Sequence, residues 1–462
     1  MYAKTMSVEN LTPLEKRAAL GLAGVFALRM MGLFLILPVF ALFADRLQGA
    51  TPVLIGLAVG AYGLTQALLQ IPFGVLSDRI GRKPVIIGGL LLFALGSAVA
   101  ALSTTIEGVI LGRFLQGAGA IAAAIMALAA DLTRETSRTR VMGMIGASIG
   151  MAFIASLILG PLLAVNLGIA GIFWITAILA LGGVAMVIWW VPKPDHCSIH
   201  REAEPIPAML GQAMTHPSLF RLNFGVFILH LCLTAVFLVV PLELRDRFAL
   251  VTADHWQLYL PVMVLAMGLM VPFIIIAEKR QKMKEMLLLA IAVAGLSLLA
   301  MGLTDGGIWL FGGIMLLFFA AFNLAEAIGP SWVSKVAPAE MRGTAMGAFA
   351  SSQFAGAFVG GLGGGWVRHE FGDAGVFVFA AGMMLIWLLL LLGIQRPRHL
   401  SNYLLPLQGL DLSDLAALQR RLLAVPGVAA AQIIVEDGVA YMKVDNAQFN
   451  SSDLDGLVGV QV

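Results

Sequence analysis

Gly74-Val75-Leu76-Ser77-Asp78-Arg79-Ile80-Gly81-Arg82-Lys83 lies between two apolar runs, each long enough to cross a bilayer. Charged side chains at this density are costly in lipid, so the stretch marks a loop at a membrane face. Its residue types have separate uses. Gly74 permits close approach of a neighbouring helix, Gly81 permits the turn, and Pro84 suits the first turn of the helix that follows. Asp78 is a carboxylate that the positive end of another helix dipole would favour. Arg82 has a candidate mate in Asp131, at the far end of the fourth apolar run.

Outward from this loop, the chain is 60% hydrophobic and 12% charged, with a mean hydropathy of +0.92. Ordinary soluble domains are about 25% charged, so the bilayer must be the solvent here. A membrane-crossing helix needs about 20 mostly apolar residues. On that criterion twelve spans fall near 18–43, 53–76, 84–103, 106–130, 141–165, 169–192, 218–242, 256–277, 286–304, 307–333, 342–367 and 374–395. A polar loop, 193–217, separates an N-terminal half (14–192) from a C-terminal half (218–397). Lys16-Arg17 before an apolar run imitates a secretory signal. That run is too long for an h-region and no Ala-x-Ala site follows, so it reads as an uncleaved first span.

Lysine and arginine orient the set. One side of the membrane receives nearly all of them, while the other holds only Arg46, Arg245, Arg247 and Arg368. The positive-inside rule then puts both termini in the cytoplasm. The loop after span 8, Glu278-Lys279-Arg280-Gln281-Lys282-Met283-Lys284, occupies the position of the quoted loop and is also basic, which predicts a duplicated six-helix unit. A net charge of +2 gives no case for nucleic acid. Cys197 and Cys232 support neither a disulfide framework nor a metal site, and no Walker-type phosphate loop occurs. No enzyme, metal or cofactor is expected.

After Arg398 the pattern changes. Tyr403–Leu407 reads as a strand, Asp414–Val425 as an amphipathic helix, and Gln432–Val435 and Val439–Val444 as a hairpin around Glu436-Asp437-Gly438. A short helix near Ser452–Leu457 would complete a β-α-β-β-α order. Residues 399–462 thus predict a small α+β ferredoxin-like domain whose core takes Leu415, Leu418, Leu422, Val428, Ile433, Val435, Val439, Tyr441 and Val444.

The loop pattern Gly-x-Leu-x-Asp-Arg-x-Gly-Arg-Lys resembles the cytoplasmic signature of the major facilitator superfamily. Arg113-Phe114-Leu115-Gln116-Gly117-Ala118-Gly119 in span 4 resembles its Arg-x-x-Gln-Gly-x-Gly element. Gly160-Pro161 in span 5 partly matches an element of its proton-coupled antiporters, with Ser156, Ala164 and Val165 where glycines would stand. With its tail, which looks like a heavy-metal-associated domain without the Cys-x-x-C loop, the chain is similar to the YajR group of that superfamily. The resemblance implies an all-α polytopic protein of a bacterial cytoplasmic (inner) membrane, its twelve helices in two six-helix halves that rock about a midplane cavity. It also implies that Asp78 meets the start of span 11 near Met341-Arg342-Gly343. Gly74, Asp78, Arg79, Gly81, Arg82, Lys83 and Asp131 would then latch the outward-facing state.

Charges inside the spans supply the remaining candidates. Arg113 and Gln116, three apart, share a helix face, with Gly117 and Gly119 allowing tight packing beside them. Arg29 in span 1, and Glu326 with Asn323 in span 10, lie near mid-membrane. A lipid-facing charge there costs at least a few kcal/mol, so both must face a cavity or a partner. Glu326 is the expected proton carrier, and His230 in span 7 is the next titratable candidate. Together these predict a proton-driven transporter exporting small amphipathic compounds, with substrate, protons and the lipid bilayer as its partners. The alternative is a membrane sensor whose tail is the output. Two uses of the tail stay open: self-association or binding of a regulator, and a solubilising appendage.

Overall fold

The computed structural model describes residues 11–193, 209–338, 341–394, 400–407, 414–434, 439–445 and 448–454. Helix α1 (Pro13–Phe34) and the short α2 (Phe40–Phe43) form span 1, and α3 (Pro52–Ile80) and α4 (Arg82–Leu102) form spans 2 and 3. Span 4 comprises α5 (Ile106–Ala118) and α6 (Ala122–Asp131). The next helix, α7 (Glu135–Trp189), is 55 residues long, about 80 Å if straight, against a hydrocarbon core of about 30 Å. It breaks at Gly168, where φ is +66°, and so supplies spans 5 and 6. After α8 (Leu210–Thr215), α9 (Pro217–Asp246), α10 (His255–Lys279), α11 (Met283–Leu303) and α12 (Ile308–Val336) form spans 7 to 10. Finally α13 (Arg342–Leu392) breaks at Gly372, φ +69°, to give spans 11 and 12. The described residues therefore cross twelve times.

Two spans are not the continuous helices predicted. Span 1 turns over residues 35–39, because Pro38 lacks the N–H that a helix requires. Span 4 opens over residues 119–121, and the freed Gly119 carbonyl accepts a hydrogen bond from Arg29 at 3.2 Å. Backbone opened at this depth needs such a partner.

The halves repeat each other in detail. Lys83 donates to the Val187 and Val191 carbonyls at the end of span 6, as Lys284 donates to Leu392 and Ile394 at the end of span 12. Arg17 of span 1 also caps span 6, through Trp190 at 2.8 Å, and Arg221 of span 7 caps span 12 through Gly393. Both inter-span turns take a positive φ, at Gly81 (98°) and Gln281 (55°). Gly168 and Gly372 match as well.

The two halves touch away from the basic loops and part near them. At the far face a Cβ on Gly56, Gly60 or Gly63 of α3 would overlap the carbonyl of Gly361, Phe358 or Phe354 of α13. Ala41, Leu42 and Leu242 form a buried cluster between spans 1 and 7. At the basic face, spans 2 and 11 enclose a cavity of about 790 Å³. The structure is thus open on the face that carries residues 74–83.

The tail forms its own unit, Arg396–Val462. Strands β1 (Leu400–Pro406), β2 (Val428–Ile434) and β3 (Val439–Asp445) make an antiparallel sheet in the order β1-β3-β2, with helix α14 (Leu415–Ala424) before β2. Leu418, Leu422, Ala440, Met442 and Val444 are buried, while Leu415 and Tyr441 are exposed. The expected core placed Tyr441 and Val444 on one face of β3, which period-two alternation forbids. Val435 of the expected core, the hairpin turn and the predicted helix past residue 454 lie outside the described residues; Ser451–Leu454 is a single 3₁₀ turn.

Candidate functional site

Arg29 is fully buried in the N-terminal half. Its Nη2 donates to the Tyr62 hydroxyl and to Gln66 Oε1, each at 2.7 Å, besides Gly119. Gln66 in turn donates to Gln70 at 3.0 Å, extending the polar track one turn along α3. The rings of Tyr62 and Phe93 lie 5.8 Å from the guanidinium carbon. All these groups are neutral, and among the described residues Arg29 Nε and Nη1 have no hydrogen-bond partner. The charge is held by dipoles and ring faces, and it ties spans 1, 2 and 4 together.

Arg113 serves packing in this structure. Its guanidinium donates to the Ala58 and Val59 carbonyls at 3.1 Å and to Gln116 Oε1 at 2.8 Å, and Gln116 reaches Ser97 at 2.8 Å. Buried between spans 2 and 4 with its donors occupied by backbone, it does not line the cavity between the halves. Around it Gly117 meets the Tyr62 carbonyl and Gly119 the Gly89 carbonyl too closely for any side chain. Gly160, beside Pro161 in span 5, similarly abuts the Leu35 carbonyl where span 1 turns.

The C-terminal half holds a second polar cluster. Glu326 Oε2 lies 3.8 Å from His230 Nε2, while Gln353 Nε2 lies 2.7 Å from that histidine nitrogen and 3.4 Å from Glu326 Oε1. Spans 7, 10 and 11 each supply one member. Glu326 is half-buried, 35% exposed, while His230 is 12% exposed. Asn323, one turn away on α12, has a buried Nδ2 without a partner among the described residues. Phe322 packs edge-on against His230 at 5.8 Å. The structure therefore seats Glu326 and Arg29 in different halves, each with its own partners.

The clusters adjoin through one ring pair. Phe354, next in the chain to Gln353, lies edge-on to Tyr62 at 6.0 Å, and its carbonyl abuts Gly63. Glu326 is thus linked to Arg29 through Gln353, the backbone step to Phe354, and the Tyr62 ring.

At the basic face Arg82 is almost fully buried and pairs with Asp131 at 3.3 Å and with Asp78, and also donates to Ser77 at 2.9 Å. Ser77 donates to the Gly74 carbonyl. Asp78's partner in this open state is thus Arg82 of its own half. Arg79 lines the cavity. The second half keeps the acid of this arrangement: Glu278 accepts from Lys335 at 2.7 Å and from Ser331 at 2.9 Å, both on span 10.

Tyr62, Gln66, Gln70 and Gln353 escaped the sequence reading. Gln66 and Gln70 carried a usable signal, since amides four apart in an apolar span share a face. Gln353 carried none, because span 11 reads as a glycine-rich packing helix.

The model of the Major Facilitator Superfamily matches residues 22–361, and that of the YajR YAM domain matches residues 410–459. The chain is 43% identical over 450 residues to the inner membrane transport protein YajR of Escherichia coli (strain K12), covering 97% of this chain and 99% of that protein. It is 26% identical to the multidrug resistance protein MdtH of Aeromonas salmonicida over 75% of this chain and 86% of the relative. A bacterial homologue of the lysosomal transporter Spinster, solved inward-facing and unoccupied, shares the fold at TM-score 0.62 and 14% identity, covering 83% of this chain and 96% of that one. The human organic anion transporter MFSD10 shares it at TM-score 0.61 and 19% identity, over 82% and 100%. With a matched transport core, a YAM domain behind it and a full-length bacterial relative, the chain is a multi-pass membrane transporter that belongs to the major facilitator superfamily.

Proposed function

We propose that the chain is a proton-coupled antiporter that exports small amphipathic compounds from a bacterial cytoplasm by rocking its two halves. The observation that carries this reading is the cluster of His230, Glu326 and Gln353 at membrane depth, joined to the other half by Phe354 and Tyr62. A carboxylate there changes its electrostatic cost when it gains or loses a proton. Protonation removes the charge that His230 and Gln353 hold, freeing Gln353 and, through Phe354, the packing of span 11 on span 2. The basic face lies in the cytoplasm by the distribution of lysine and arginine. In the outward-facing state Asp78 leaves Arg82 for the N-terminus of span 11, and the buried Arg82–Asp131 pair holds the loop in shape. Export is supported by the relative named for multidrug resistance. No cofactor is needed, since the proton gradient drives the cycle.

The test uses purified protein in proteoliposomes with an imposed pH gradient and an amphipathic fluorescent dye as probe. Dye flux that saturates and collapses when the gradient is dissipated supports the reading. Flux that is absent across a panel of such dyes, in correctly inserted protein, favours a sensor whose output is the tail.

A further inference from the structure

The cavity between spans 2 and 11 has the shape of a slot with apolar walls. Leu68, Ile71 and Leu76 of α3 face Ala348 and Ala355 of α13 across it, and Met214 of α8 flanks it. Leu68 is 65% exposed and Leu76 39%, although both lie within the membrane. Along α3 the slot runs from Ala67 to Arg79, about 18 Å of helix. One leaflet of hydrocarbon is about 15 Å deep. The slot therefore matches a single acyl layer and ends at the headgroup level.

At that end stands Arg79. The other cations of its loop are occupied, Arg82 by two aspartates and Lys83 by the carbonyls that close span 6. Arg79 is exposed, lines the slot, and among the described residues has neither an ion pair nor a side-chain hydrogen bond. An uncompensated guanidinium above an apolar slot one leaflet long is complementary to one phosphate above one acyl chain.

We propose that this slot binds an anionic phospholipid of the leaflet on the basic face, its acyl chain between spans 2 and 11 and its phosphate on Arg79. The walls come from both halves, so closing the basic face expels the lipid. A ligand that binds one state favours that state, so the lipid holds the transporter open at this face. The inference does not rest on proton coupling or on any substrate.

Native mass spectrometry of the full-length protein exposed to equal phosphatidylglycerol and phosphatidylethanolamine tests it. Wild type should retain phosphatidylglycerol about fivefold over phosphatidylethanolamine, the value of one arginine facing an anionic lipid. Arg79→Gln should erase that preference and Arg79→Lys should keep it. Ala355→Phe, which narrows the slot with Arg79 intact, should lower retention of phosphatidylglycerol by a similar factor. Arg280→Gln, at an exposed cation of the matched loop, should change nothing. A preference that survives Arg79→Gln, an undiminished retention in Ala355→Phe, or an equal loss in Arg280→Gln would overturn the proposal.

Discussion

Lys83 and Lys284 make the same contact in the two halves: each ammonium, at the start of its helix, caps the last carbonyls of the helix that ends its half. A cation at a helix C-terminus satisfies orphan carbonyls and the dipole together. Around this shared device the halves diverge. The acid at the end of the second helix is kept as Asp78 and Glu278, but its basic partner moves from Arg82 at the start of α4 to Lys335 on span 10. The first half sets the buried Arg82 between two carboxylates, Asp78 and Asp131, and that half is proposed to carry the latch.

Lys83→Met and Lys284→Met should each remove charged hydrogen bonds worth about 1–3 kcal/mol. The melting temperature of detergent-solubilised protein should fall by a few degrees for each, and the two effects should add because they lie in separate halves. An unchanged melting temperature in either variant would remove the cap from the account of that half.

The paired turns predict opposite responses to substitution. Gly81→Ala forces a side chain into φ +98°, ψ +150°, a region open essentially to glycine, and should cost about 1–3 kcal/mol. Gln281 turns its chain with a side chain already at φ +55°, so Gln281→Gly should be neutral or stabilising by up to about 1 kcal/mol. Thermal unfolding of the two variants beside wild type reads the difference.

Arg82 and Asp131 are both nearly inaccessible, at 2% and 0%. Arg82→Ala and Asp131→Ala should therefore be strongly non-additive, with a coupling of about 1–3 kcal/mol in a double-mutant cycle. Asp78→Asn should leave insertion intact but shift the protein further toward the state seen here and slow transport. Spin-label distances across the basic ends of spans 2 and 11 would show the shift, and an unchanged distribution would remove Asp78 from the latch.

Hydropathy made the twelve crossings legible because a bilayer imposes length on every span, and the broken helices at Gly168 and Gly372 were already separated by that pattern. The interruptions of spans 1 and 4 were hidden, because Pro38 and Gly119 sit inside apolar runs whose composition does not change. Arg82 with Asp131 was readable from two charges at neighbouring span ends. The roles of Arg29 and Arg113 were not. Both are intramembrane arginines in the sequence, and only the structure shows that backbone carbonyls, amides and rings hold them inside one half. His230 gained weight for the opposite reason: its partners come from spans 10 and 11, far away in the chain.

The tail should fold alone but weakly. Its described core rests on about ten side chains, among them Leu418, Leu422, Met442 and Leu454, and domains of this size carry only a few kcal/mol. A fragment of residues 399–462 should unfold cooperatively at a low denaturant midpoint. Its melting temperature should not respond to zinc or copper, as it contains no cysteine. A large metal-induced shift would contradict this. In the whole protein, deletion after Arg398 should leave the core inserted and change its transport rate or oligomeric state; no change in either would make the tail an appendage.

The central claim is that Glu326 carries the coupled proton, and the pH dependence of dye flux in proteoliposomes tests it most directly. Wild type should respond to an imposed pH gradient in the direction of proton-for-substrate exchange. Glu326→Gln should keep binding the dye and exchanging it across the membrane while losing the response to the gradient, and His230→Gln should weaken the response without abolishing it. A Glu326→Gln protein whose flux follows the gradient as wild type does would contradict the account and move the proton site elsewhere.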